Sequence, residues 1–91
     1  MSNPHIRMYC TSFCPYCTRA STLLKNKGVE FEKIDASTAE VWRQMEVESN
    51  QSTVPQIFVG ELHLGGCDDI YALERAGQLD AILSGEVTTL E

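Results

Sequence analysis

The sequence predicts an α/β domain in which a mixed four-stranded sheet is flanked by helices. Three observations predict it. Stretches with a period of two and stretches with a helical period follow one another as strand, helix, strand, helix, strand, strand, helix, helix. The first three make a βαβ unit, whose strands run parallel because a crossover helix joins them. A tight turn at Gly60-Glu61 then links two strands as an antiparallel hairpin. A sheet with both kinds of pairing closes by burying its faces under helices.

The first strand is Ile6-Arg7-Met8-Tyr9-Cys10, with Ile6, Met8 and Cys10 on one side. Thr11 to Phe13 is a short loop. Cys17, Ala20, Leu23 and Leu24 then recur at helical spacing. Pro15 suits the first helical position, and Gly28, after Lys25 and Lys27, suits the stop. This predicts a helix over about 15–27 with Cys14 as its N-cap. Val29 and Phe31 share one face of a second strand, which bulges or ends where Ile34 breaks the period. Asp35 to Thr38 supplies the N-cap of a helix carrying Val41, Trp42, Met45 and Val47, with Trp42 between helix and sheet. Residues 49–52 form a polar loop. Ile57-Phe58-Val59 is too short and apolar for a helix and reads as a buried strand, and Leu62 and Leu64 mark the returning one. After Gly65-Gly66, Asp68-Asp69 opens a helix with Ile70, Leu73 and Ala76 on one face. Gly77 stops it, and Leu79, Ile82 and Leu83 mark a last short helix.

Length and composition bound the function. Ninety-one residues make one domain, spanning 1–91, with residues 86–91 as a tail; the ending Leu90-Glu91 is set aside as an appended remnant. Apolar residues are 43% of the chain and charged residues 22%, which is globular rather than disordered composition. The longest apolar run, Ile70 to Leu73, is far short of the ~20 residues of a membrane span. The opening Met1-Ser2-Asn3-Pro4 has no signal-peptide core, so the cytoplasm is the expected compartment. Seven basic against thirteen acidic residues give a net charge of −6, which argues against nucleic acid or an anionic membrane as partner.

The four cysteines are Cys10, Cys14, Cys17 and Cys67. A cytosolic chain with enough apolar residues to fold unaided uses clustered cysteines for catalysis or metal binding rather than as staples. Cys14-Pro15-Tyr16-Cys17 joins the first strand to the first helix. In thiol–disulfide exchange the thiolate is the nucleophile, and a helix N-terminus, with its partial positive charge and unpaired N–H groups, favours thiolate over thiol. Cys14 is therefore the attacking sulfur. Cys17, one turn further in on the side of Ala20 and Leu24, is less exposed and resolves. The competing reading is half of a zinc site, but Cys67 stands alone and neither His5 nor His63 has a ligand-spaced companion, so no metal is expected.

Two further segments can bind a ligand. Pro55 in Ser52-Thr53-Val54-Pro55 cannot donate to a sheet ladder, yet it opens a strand. A cis Val54–Pro55 bond would turn the Val54 N–H and C=O outward as an edge for a peptide-like substrate; the alternative is an ordinary trans proline. Gly65-Gly66-Cys67-Asp68-Asp69 feeds a helix N-terminus whose N–H groups can hold a carboxylate while Asp68 holds an ammonium, as an α-amino acid end requires; the alternative is a capped helix without ligand. Tyr16 lies on the rim beside Cys14. Cys10 reads as a small buried apolar residue, and Cys67 falls near the site.

Cys14-Pro15-Tyr16-Cys17, Thr53-Val54-Pro55-Gln56-Ile57-Phe58 and Gly65-Gly66-Cys67-Asp68-Asp69, in this order and spacing, make the chain resemble the glutaredoxins, above all the small bacterial dithiol members, from Ile6 to Leu83. The resemblance implies a thioredoxin-like fold with the first strand central, and a monomer. It implies glutathione as cosubstrate, with Thr53, Val54 and Pro55 at its cysteinyl part, Gly66, Cys67 and Asp68 at its γ-glutamyl end, and Tyr16 flanking it. The implied activity reduces glutathione mixed disulfides through Cys14 alone and protein disulfides through Cys14 with Cys17. Glutaredoxin-like potentials lie near −200 to −230 mV, close to the glutathione pool. An alternative within the family is an iron–sulfur cluster carrier, a dimer bridged through Cys14 and glutathione. Pro15 and the competing Cys17 argue against it. Glutaredoxins commonly carry a lysine three residues before the nucleophile and a basic residue before Thr-Val-Pro, both facing the glycyl carboxylate. Here those positions hold Thr11 and Gln51, and Arg43 is the nearest cation in sequence that can substitute.

Overall fold

A computed structural model describes residues 4–87. Its elements are β1 (Ile6–Cys10), α1 (Pro15–Asn26), β2 (Glu32–Asp35), α2 (Ala39–Ser49), β3 (Gln56–Val59), β4 (Leu62–Gly65), α3 (Cys67–Arg75) and α4 (Leu79–Leu83). The sheet order is β2-β1-β3-β4. β1 pairs parallel with β2 and antiparallel with β3, and β3 pairs antiparallel with β4. The mixed four-stranded sheet is thus the expected one, with β1 inside it. Of the expected tail at 86–91, Glu86 and Val87 follow α4, and residues 88–91, Leu90-Glu91 among them, lie outside the described residues.

Alternation along β1 divides the core. Ile6 and Met8 pack with Ala20, Leu23 and Leu24 of α1, Ile70 of α3 and the α4 residues Leu79, Ile82 and Leu83. Tyr9 points to the opposite face, where it packs with Ala36, Met45 and Phe58, and with Trp42 at the edge. Tyr9 is fully buried, and its hydroxyl donates to Glu48 Oε1 while accepting from Gln44 Nε2 at 3.1 Å. A buried phenol needs such partners, because an unpaired one costs about 1–3 kcal/mol.

Four sequence expectations change. β2 begins at Glu32, not at Val29. Val29 and Phe31 precede it and pack on the α1 side, whereas Ile34 packs on the α2 side. The period of two continues across this segment. It looked broken because apolar residues were expected on one face, and this sheet is covered on both. Val47 is 71% exposed rather than facing the sheet. Two residues beyond the buried Met45, the helix has turned by about 200°. α1 ends at Asn26 with Lys27 as C-cap, and Ala76, expected on the buried face of α3, is its exposed C-cap.

Candidate functional site

The site gathers where β1 hands over to α1. Cys14 is the N-cap of α1, with φ −105° and ψ 108°, and Pro15 occupies the first turn. The Cys17 backbone N–H donates to Cys14 Sγ at 3.3 Å. The Cys14 carbonyl accepts from the Thr18 N–H at 3.1 Å. A helix start leaves several N–H groups without intrahelical partners, and here one of them is satisfied by sulfur. Cys14 is half-buried and reachable, whereas Cys17 is 5% exposed. Burial first, and then the hydrogen bond to Cys14, push the Cys17 thiol up to about 12. The two sulfurs thus differ in exposure, and burial keeps the proton on Cys17, as a resolving thiol requires.

A groove of about 480 Å3 adjoins this turn, within the ~300–1,000 Å3 usual for small ligands. Tyr16, Gln51, Thr53, Val54, Pro55, Gly66, Cys67 and Asp68 all line it, so the structure brings together eight of the nine residues expected to contact a ligand. Thr11 is the ninth. It lines a separate hollow with Trp42, Arg43 and Glu46, which brings Thr11 and Arg43 to one hollow although they are far apart in sequence. The Val54–Pro55 bond is cis. Gly66 is the N-cap of α3, and its N–H already donates to Asp69 Oδ2 at 2.8 Å. The N–H groups available to a ligand anion are therefore those of the next residues, Cys67 and Asp68. Asp68 is exposed and acidic. Cys67 is buried, and burial pushes its thiol up against the opposing pull of Arg19, with the charges of Asp68 and Cys14 adding to burial. Cys10, expected buried, is half-buried and packs against the α1 side, its thiol raised mainly by burial.

Five lining residues were not among the expected contacts: Gln56, His63, Leu64, Gly65 and Asp69. His63 Nε2 lies 2.6 Å from Gln56 Oε1. Gln56 Nε2 donates to the Thr53 carbonyl at 3.0 Å and to Thr53 Oγ1 at 3.1 Å. With the Gln56 amide so oriented, His63 Nε2 carries the proton and donates. His63 also stacks on Phe58, ring centroids 4.8 Å apart, and burial lowers its affinity for a second proton. The available signal was a polar residue opening β3 and another between the two leucines of β4.

A half-buried sulfur at a helix start, a proton-holding sulfur one turn inside, and a peptide-sized groove beside them define a thiol–disulfide oxidoreductase on a thioredoxin-like fold. Comparison gives the family. The glutaredoxin family model matches residues 6–64. A glutaredoxin of Pseudomonas aeruginosa is 50% identical over 82 residues, covering 89% of this chain and 98% of its own. The solution structure of a Brucella melitensis glutaredoxin superposes with a TM-score of 0.85 at 48% identity, over 96% of each chain. A buckwheat glutaredoxin–glutathione complex superposes with a TM-score of 0.81 at 26% identity, over 97% of this chain and 83% of that one. The chain belongs to the glutaredoxin family. Among the described residues, no helix is long and apolar enough to cross a membrane, and no cluster of three or more His, Cys, Asp or Glu is placed to hold a metal.

Proposed function

We propose that the protein is a glutathione-dependent oxidoreductase that reduces glutathione mixed disulfides and protein disulfides, with Cys14 as nucleophile and Cys17 as resolving thiol. The observation that carries this reading is the asymmetry of the two cysteines at the start of α1, beside the groove. The buckwheat relative, solved as a glutathione complex, supports the choice of ligand.

In this reading the groove takes the tripeptide. Thr53, Val54 and Pro55 lie along its cysteinyl part, the Cys67 and Asp68 N–H groups hold the γ-glutamyl carboxylate, the Asp68 carboxylate faces the ammonium, and Tyr16 flanks it. Gln51 lines the groove and supplies a neutral contact, whereas Thr11 lies in the separate hollow that Arg43 also lines. The Cys14 thiolate attacks one sulfur of a disulfide. A Cys14–sulfur bond forms, the old S–S bond breaks, and the other sulfur leaves as a thiolate that takes a proton from water. When the captured sulfur is glutathione's, a second glutathione thiolate attacks it, frees Cys14 and leaves as oxidised glutathione. When it belongs to a protein, Cys17 gives up its proton and attacks Cys14 Sγ, the protein thiolate departs, and the Cys14–Cys17 disulfide is reduced by two glutathiones. Capture of Cys14 helps Cys17 lose its proton, because the hydrogen bond and charge of Cys14 are among the causes that raise it.

The test is glutathione-dependent reduction of the hydroxyethyl–glutathione mixed disulfide and of a protein disulfide. Turnover of both by the native protein, and of neither by Cys14→Ser, is expected. A Cys14→Ser protein that still turns over the mixed disulfide rejects the reading.

A further inference from the structure

Phe13 immediately precedes Cys14 and is fully exposed, at 102%. Its φ is +59°, in the left-handed region. A bulky residue rarely adopts that conformation, which glycine or asparagine fits more readily. Among the described residues, the exposed large apolar side chains are Phe13, Tyr16, Val47 and Val87. Two of these bracket Cys14. Tyr16 lines the groove and Phe13 does not, so a ligand in the groove leaves Phe13 uncovered. Neither packing nor backbone conformation accounts for an aromatic ring at this position.

From this we infer that Phe13 is a docking residue for polypeptide substrates: it receives an apolar side chain next to the client cysteine that Cys14 captures. The inference rests on the proposed role of Cys14 and goes beyond it. The covalent step fixes the geometry. In a mixed disulfide the two Cα atoms are about 4.4–6.8 Å apart. The residue beside the client cysteine is one further step of about 3.8 Å away, as is Phe13 from Cys14. A client chain tethered at Cys14 therefore lays its flanking residues over whatever borders that sulfur. Phe13, the residue next to Cys14, is within that reach, and its exposed ring offers roughly 150–250 Å2 of apolar surface. A second copy of the chain or a lipid surface has no covalent tie that would bring it here.

The test uses two short peptides with an intramolecular disulfide, one with leucine and one with serine beside the attacked cysteine, and the hydroxyethyl–glutathione mixed disulfide as third substrate. The native protein should favour the leucine peptide over the serine peptide in kcat/KM by about fivefold or more. Phe13→Ser should bring that ratio to within twofold of unity, and Phe13→Leu should restore most of it. A ratio that stays the same in Phe13→Ser, or a native protein with no preference, overturns the inference while turnover of the mixed disulfide leaves the reading of Cys14 standing. A native protein inactive on the mixed disulfide overturns that reading, and the role of Phe13 with it.

Discussion

The backbone N–H of Cys17 points at the sulfur of Cys14 across 3.3 Å, so the residue proposed to resolve the intermediate also solvates the nucleophile through its main chain. Cys17→Ser keeps that N–H and removes only the thiol. It should retain turnover of glutathione mixed disulfides and lose reduction of protein disulfides, accumulating the mixed disulfide, which mass spectrometry detects. If Cys17→Ser is dead on glutathione mixed disulfides, the division of roles is wrong.

Stability should fall in alkaline solution, in part because of Cys17. Its thiol holds a proton to about 12 in the folded chain, against roughly 8.5 for an unperturbed cysteine. Between these values the unfolded chain binds fewer protons, so unfolding is favoured as pH rises. The contribution is fully present below about 8.5 and is lost through the window up to 12, by about 1 kcal/mol per pH unit. Urea unfolding of the reduced protein from pH 7 to 10, beside Cys17→Ser, measures it. The same slope in both proteins contradicts the assignment.

His63→Phe should preserve the ring stacking on Phe58 and delete the hydrogen bond to Gln56. Gln56 is 2% exposed, so its Oε1 would lose a partner with little water to replace it, at about 1–3 kcal/mol. The Thr53 carbonyl and hydroxyl that Gln56 holds should loosen. The expected result is a lower urea midpoint and a several-fold higher KM for glutathione mixed disulfides at nearly constant kcat. An unchanged KM in a destabilised protein would confine His63 to the fold.

Gly65 and Gly28 make a contrasting pair. Gly65 has φ +108°, and a Cβ there would lie 2.7 Å from Asp69 Cγ, displacing the carboxylate that caps Gly66. Gly28 has φ +74° with nothing within 4 Å of its would-be Cβ. Gly28→Ala should cost about 1 kcal/mol, the left-handed penalty alone. Gly65→Ala should cost more in thermal unfolding and should also weaken glutathione binding by calorimetry. Equal losses would show that the Asp69 cap is immaterial.

Thr11→Lys should lower the KM for a glutathionylated peptide by up to about fivefold at low salt, and less at high salt, since a partly exposed ion pair contributes up to ~1 kcal/mol. Arg43 lines the same hollow as Thr11, and Arg43→Ala should raise the KM only if Arg43 substitutes for the missing lysine rather than standing as a solvated helix charge. An unaltered KM in both variants means that the carboxylate is held elsewhere.

Strand and helix order, the N-cap position of Cys14 and the inward position of Cys17 are all legible in the amino-acid sequence. These are local: a proline at the first helical position, a period of 3.6 and a glycine stop need no knowledge of distant residues. Three motifs in order also marked segments that line the groove, because short loops between regular elements leave their residues little freedom of place. What depends on which residues meet emerges only in the folded chain. Val29, Phe31 and Ile34 make sense only once the sheet is known to be covered on both faces. Thr11 left the groove for a hollow shared with Arg43, and His63 and Gln56 entered it, through the packing of α2 and the pairing of β3 with β4. Hydrogen bonds such as those joining His63, Gln56 and Thr53 act over about 3 Å between residues that pattern alone does not pair, and only the folded chain brings them within that reach.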